Sequence, residues 1–227
     1  MVLALVLLLL NGGAMAQNNV EVVKSLQTFG SSSLDYRQRQ LEMKDVKGSP
    51  YLTADFQEGE LLMSNTLYKG LQLRYNVYSD RFEIRLNQQT IELDPVKNPI
   101  DTLYYSGYKF IRRFLQPDKN KMLSYVAVIY GDGSCMLIKQ FRISLTPAKD
   151  AGAYEQSKPA EFTPAKPEYF LVRGEEQSPV KGVKSVAGFF SVDPGEVKSY
   201  LKSNQLKISE EDDLTVICAH FLKNTTR

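Results

Sequence analysis

The chain predicts an α+β protein that is mainly β: an antiparallel β-sheet or roll, then a small C-terminal α/β tail with two or three short helices. Three observations carry this expectation. Short apolar-polar alternations follow one another from residue 49 to 145, split by turn dipeptides. Aromatic residues are abundant, with 13 Tyr and 11 Phe, and these suit strands. After residue 190 the apolar spacing changes from two to three-and-four, the period of a helix. The expected organisation is a signal peptide over 1–16, a polar leader over 17–48 and an antiparallel β domain over 49–147. A Pro-rich connector over 148–167 and a C-terminal α/β subdomain over 168–227 complete it.

The N-terminus comes first. Val2 to Leu10 is an unbroken apolar run, too short to span a bilayer, which takes about 20 residues. Asn11-Gly12-Gly13 and the small-x-small site Ala14-Met15-Ala16 follow it. That order is the pattern of a secretory signal peptide cleaved between Ala16 and Gln17. No Lys or Arg precedes the run, so either the true start lies a few residues upstream or the Met1 amino group is its only positive charge. No Cys stands at the cleavage point, and no later stretch is apolar enough to span a membrane. The expected location of the mature protein is periplasmic or secreted, with no transmembrane segment after signal removal.

The leader, with "GSSS" at 30–33, holds at most one short helix. Strands are expected at 51–56, 60–64, 70–78, 81–86, 90–93, 101–105, 109–115, 122–130 and 134–145. Glu58-Gly59, Ser79-Asp80, Asn87-Gln88, Asp94-Pro95, Ser106-Gly107 and Asp132-Gly133 separate them. The sharpest pattern is "LRYNVYSDRFEIRL" at 73–86. A two-residue turn at Ser79-Asp80 puts Leu73, Tyr75, Val77, Phe82, Ile84 and Leu86 on one face. Arg74, Asn76, Tyr78, Arg81, Glu83 and Arg85 share the other. In that register Arg74 faces Arg85, a like-charge pair that a diagonal Glu83, or an anion between the two guanidiniums, would relieve. Arg74, Arg85 and Tyr78 are therefore the candidate binding residues, set against the plainer reading of a solvated outer face.

The segment 122–130, "MLSYVAVIY", is apolar on both faces, as in the middle of a covered sheet or closed roll. Its partner puts Cys135, Leu137, Phe141, Ile143 and Leu145 on one face. The connector carries Pro147, Pro159, Pro164 and Pro167 and is expected to run extended over the surface. "EYFLVR" at 168–173 reads as a strand. Asp193-Pro194-Gly195-Glu196 opens a helix with Asp as N-cap and Pro in the first turn. Ser209-Glu210-Glu211-Asp212 opens a second, with its acids at the positive end of the helix dipole. Along the second, Leu214, Ile217, Cys218, Phe221 and Leu222 form one apolar stripe.

Catalytic chemistry is sparse. His220 is the only histidine, and two residues from Cys218 on a helix it faces away from it, so the pair does not converge on a metal. There is no phosphate-cradling glycine loop and no Gly-x-Ser-x-Gly. Ser178/Lys181 and Ser199/Lys202 match Ser-x-x-Lys without its companion motifs. With 28 basic and 26 acidic residues, mixed along the chain, nucleic acid is not an expected partner. No cofactor or metal is expected. Export permits a Cys135–Cys218 disulfide, while the apolar setting of each favours free buried thiols.

"GSPYL" with "F-x-x-G" (48–59), "LRYNVYSD" (73–80), "DG" before an apolar strand (132–138), and "PAEFTPAKPEYFL" (159–171) ahead of helices near "EEDDL" occur in that order. Together they resemble a family of uncharacterised exported proteins of Bacteroidetes, over about residues 48–222. The resemblance implies a periplasmic or secreted location and brings no site residue. The expected function is a non-enzymatic binding or interaction module of the cell envelope, with a protein or small-molecule partner. The alternative is an exported hydrolase using paired carboxylates, which would need acids converging in a cleft.

Overall fold

The computed structural model describes residues 43, 45–86, 89–93, 100–115, 122–131, 135–150 and 156–225. The signal peptide, its Ala16/Gln17 cleavage point, the leader up to residue 42 and the Asp94-Pro95 and Asp132-Gly133 turns lie outside the described residues. The architecture is α+β and mainly β. Among the described residues, ten strands, β1 (Gln57–Met63), β2 (Thr66–Asn76), β3 (Arg81–Leu86), β4 (Gln89–Leu93), β5 (Ile100–Tyr105), β6 (Tyr108–Leu115), β7 (Met122–Gly131), β8 (Met136–Thr146), β9 (Glu161–Arg173) and β10 (Glu176–Pro179), precede three helices. The helices are α1 (Val183–Phe190), α2 (Pro194–Asn204) and α3 (Glu211–Thr225). The chain forms two compact units, each discontinuous in sequence. One takes the described residues up to Gly107 with Ile143–Pro164; the other takes Tyr108–Arg142 with Ala165–Arg227. In this division the C-terminal helices share a unit with β6 and β7.

In the first unit the strand order is β5-β1-β2-β3-β4, with antiparallel pairing throughout. One face carries Leu73, Tyr75, Phe82, Ile84, Ile91 and Leu93, all buried. Tyr75 stacks on Phe82, and Phe82 meets Tyr105 edge-on. This is the apolar face of the sequence pattern. The turn is longer than expected, spanning residues 77–80. Asp80 takes a left-handed φ of 53° and accepts a hydrogen bond from the Tyr75 hydroxyl at 2.7 Å. The Asn76 side chain accepts from Ser79 N at 3.0 Å, closing the loop locally. The register moves by two residues, so every side chain keeps its face while the partners change. Arg74 now faces Glu83, and Arg85 faces Gln72.

Residues 51–56 do not form a ladder strand. Leu52 N donates to Tyr75 O and Val77 N to Pro50 O, both at 2.9 Å. These bonds tie the segment to the end of β2 before it rejoins the sheet as β1. Pro164 and Pro167 lie inside β9, which starts at Glu161 rather than 168. The expected connector is therefore partly strand.

In the second unit the order is β10-β9-β8-β7-β6. Tyr125, Val126 and Ala127 of β7 are at most 1% exposed, so this strand is covered on both faces, as its composition implies. One face of the sheet, through Cys135, Leu137 and Leu171, packs with Ala187, Phe190 and Val197 of α1 and α2 and with Leu214, Ile217, Cys218 and Phe221 of α3. The other face gathers Leu115, Val126, Met136, Ile138, Phe170 and Val172, with Ile111 against them. Asp193 caps α2 by accepting from Gly195 N at 2.7 Å, as its N-cap position requires. Glu211, Asp212 and Asp213 fill the first turn of α3. Glu211 also receives Lys139 Nζ at 2.6 Å and the Tyr169 hydroxyl at 2.8 Å. The Lys139 ammonium sits over the Tyr108 and Phe141 rings. Burial and the Glu211 carboxylate raise the Tyr169 phenol well above its usual range.

Candidate functional site

The candidate residues Arg74, Arg85 and Tyr78 lie in the first unit. The hairpin turns Arg74 and Glu83 to the same face at adjacent positions. The Arg74 guanidinium donates to Glu83 Oε2 from Nη2 at 2.7 Å and from Nε at 3.1 Å. The Tyr51 hydroxyl donates to the other oxygen, Oε1, at 3.0 Å. Tyr51 and Phe56 cover the pair: the Arg74 guanidinium carbon stands 3.7 Å from the Tyr51 ring centroid and 4.4 Å from that of Phe56. Arg85 reaches the same Phe56 ring at 3.9 Å. The two arginines therefore meet at one aromatic ring, but not as an opposed pair around an anion, because Glu83 supplies the countercharge to Arg74. Tyr78 stands apart in the turn, 46% exposed, with its ring edge-on to Phe162 at 5.0 Å.

Glu83 is fully buried although it belongs to the polar face of the hairpin. Glu92, equally withdrawn from solvent, stands directly opposite it across β3 and β4. Burial pushes the Glu83 carboxyl above the usual carboxylate range. The hydrogen bonds and charge of Arg74 pull against that shift, and Glu92 adds to it. Two carboxyl groups side by side do not ionise as easily as two isolated ones. Both oxygens of Glu83 are nevertheless engaged inside the fold, so this pair is a buried structural cluster rather than an open cleft.

The second unit has a different kind of place. Arg112, Arg113 and Phe114 of β6, Leu123 of β7, Glu175 of the β9–β10 turn and Gln177 of β10 line a concavity of about 370 Å³. That volume suits a small molecule. The sheet curls until the far end of β6 meets the β9–β10 turn. There an Arg113 Nη2 donates to Gly174 O, and Gln177 Nε2 donates to Phe114 O. These bonds fix two side chains that each keep one atom unused. Arg113 Nε and Gln177 Oε1 are shielded from solvent and have no hydrogen-bond partner among the described residues. A buried donor or acceptor left in that state costs about 1–3 kcal/mol. Phe114 and Leu123 are cross-strand partners and supply an apolar wall, with Phe114 46% exposed.

The sequence reading did not single out this place, though it contained a signal. Arg113 falls between Ile111 and Leu115 on the face of β6 that joins the core. A charged residue at a core position of a strand is unusual unless it has a partner.

Cys135 and Cys218 are not disulfide-bonded and lie buried in one cluster, and burial pushes the Cys218 thiol up to about 12. A thiol raised in this way is a poor nucleophile, because thiols attack as thiolates. His220 stacks on Tyr200 at 3.8 Å between ring centroids, a packing role between α3 and α2. Among the described residues, no group of three or more His, Cys, Asp or Glu is placed to hold a metal ion, and no helix is long and apolar enough to cross a membrane. No protein-family model, no curated protein and no solved structure matches the chain.

Proposed function

We propose that the protein is an exported, non-enzymatic binding module of the cell envelope or the secreted fraction. Its ligand is a small polar molecule taken at the concavity between β6 and the β9–β10 turn. One observation carries this reading: a donor, Arg113 Nε, and an acceptor, Gln177 Oε1, are both shielded and unpartnered among the described residues, and both side chains belong to the lining of the same concavity. A ligand that satisfies both recovers a cost the folded protein otherwise bears. Export follows from the apolar run Val2–Leu10 and the Ala14-Met15-Ala16 site.

The paired carboxylates Glu83 and Glu92 are the observation that favours a hydrolase as a second reading. It is the weaker one, because Glu83 is sealed under Tyr51 and held by Arg74, leaving no approach for a substrate.

The test is a set of small probes (acetate, phosphate, glucose and free amino acids) titrated into the ¹⁵N-labelled mature chain. The expected result is that at least one probe shifts the amide and side-chain signals of Arg113 and Gln177, and that Arg113→Met abolishes the shift. Probes that leave these signals unmoved throughout would overturn the reading.

A further inference from the structure

We infer that the concavity takes a free α-amino acid with an apolar side chain. This rests on the reading of that concavity as the ligand site and specifies its chemistry.

Each wall asks for a different part of one molecule. Arg113 Nε is a charged donor without an acceptor, and Arg112 adds a second guanidinium to the lining. Guanidinium groups bind carboxylates through paired, charge-assisted hydrogen bonds. Gln177 Oε1 is an acceptor without a donor, so the ligand must also present an N–H or O–H. Glu175 brings a carboxylate to the same lining, which favours a positively charged donor over a neutral one. Phe114 and Leu123 offer apolar surface beside these groups.

An inorganic anion such as phosphate satisfies the arginine side and is repelled by Glu175. A neutral sugar gives Arg113 an acceptor but leaves both signs of charge unanswered. An α-amino acid carries a carboxylate, an ammonium and a side chain on one carbon, and so meets all three walls at once. The concavity of about 370 Å³ holds one such molecule. The C-terminus of a peptide shares the carboxylate, an N–H and the side chain, but lacks the ammonium that Glu175 selects.

The test is isothermal titration of the folded mature chain with L-leucine, leucinamide, 4-methylpentanoate and N-acetyl-L-leucine. L-Leucine is expected to bind. Leucinamide, without the carboxylate, and 4-methylpentanoate, without the nitrogen, are each expected to bind roughly 10–100-fold more weakly, the loss of one hydrogen bond to a charged group. Arg113→Met and Gln177→Leu are expected to weaken L-leucine to the same degree, with unchanged far-UV circular dichroism. Glu175→Gln, at an exposed turn, should weaken L-leucine while N-acetyl-L-leucine, an anion without the ammonium, binds no more weakly than before.

N-Acetyl-L-leucine binding as tightly as L-leucine would overturn the free amino acid in favour of a peptide C-terminus. Phosphate, acetate or glucose shifting the Arg113 and Gln177 signals while no leucine derivative binds would overturn the amino-acid class and leave the binding site standing. No probe of any kind at this place would overturn both.

Discussion

Replacing Arg74 by Met removes the countercharge of a carboxylate that is fully buried. Met keeps much of the side-chain volume, so the Tyr51 and Phe56 rings retain something to pack on. What is lost is the pair of bonds to Glu83 Oε2 at 2.7 and 3.1 Å. Breaking a buried ion pair by deleting one partner costs about 3–5 kcal/mol. In a chain of this size that lowers Tm by roughly 2–4 °C for each kcal/mol. Protonation limits the loss. Glu83 already titrates above the usual range because of burial, and Glu92 opposite adds to the shift. Without Arg74 the carboxyl takes up a proton more readily still, so the cost of Arg74→Met should shrink as pH falls from 7.5 to 5. The reverse deletion, Glu83→Gln, leaves a guanidinium whose side chain is 16% exposed and reaches water. Its cost should be smaller, about 1–3 kcal/mol. The double variant Arg74→Met/Glu83→Leu removes both charges and should recover most of the loss, since an apolar pair of similar size is often as stable as a buried ion pair. Urea unfolding followed by far-UV circular dichroism at both pH values measures all three. A loss below about 1 kcal/mol at pH 7.5, the value of an exposed pair, would refute the argument, as would a double variant no more stable than Arg74→Met alone.

Three further outcomes are expected. Glu83 has its folded pKa raised above the ordinary 4.5, so the folded state holds its proton more tightly than the unfolded chain. Its contribution to stability should therefore fall as pH rises from about 4.5 through the folded pKa. Glu83→Gln should flatten that segment of the stability–pH curve, and a wild-type curve that rises as steeply as the variant's there would refute the direction. Cys135 and Cys218, both buried, should resist iodoacetamide at pH 8 in the native protein and take two labels in urea; native labelling at the rate of a free thiol would contradict it. Gly131 has φ of +87° and would put a Cβ 2.1 Å from Cys135 O, whereas Gly70, at φ +66°, has open space around it. Gly131→Ala should thus cost clearly more than the roughly 1–3 kcal/mol of left-handed strain that Gly70→Ala incurs alone, and equal urea midpoints for the two would refute the packing argument.

What the sequence made legible is what alternation and capping determine locally. The faces of the 73–86 hairpin survive a two-residue change in register because parity is conserved. The burial of β7 follows from its two apolar faces, and the α2 cap from Asp193 and Pro194. Three things were not legible. The fate of Glu83 turns on Tyr51 and Phe56, which lie over a face that alternation alone calls wet. The Arg74–Arg85 opposition assumed the shortest turn, whereas the Asn76 and Asp80 side chains stabilise a four-residue one. The reach of β9 back to Glu161 overrides Pro164 and Pro167, whose missing N–H groups argued for a connector.

The contrast between the two charged clusters is the reason the proposed ligand is assigned to the end of β6. Around Arg74 the polar groups answer one another: Glu83 accepts from Arg74 and Tyr51, and two aromatic rings close the cation from above. Such a cluster stabilises the fold and offers a newcomer only what it takes from an existing partner. At the end of β6 the balance differs. Arg113 spends an Nη2 hydrogen on Gly174 O, and Gln177 spends its amide on Phe114 O. These bonds pre-set the orientation of both side chains and leave Nε and Oε1 without a partner among the described residues. Orientation fixed before binding lowers the entropic cost of recognition, and unsatisfied atoms supply its reward. Arg74 and Arg85, prominent in the sequence because they alternate with aromatics, are thus parts of the scaffold. Arg113, inconspicuous because a single charge breaks an apolar face, is the residue that the proposed site uses.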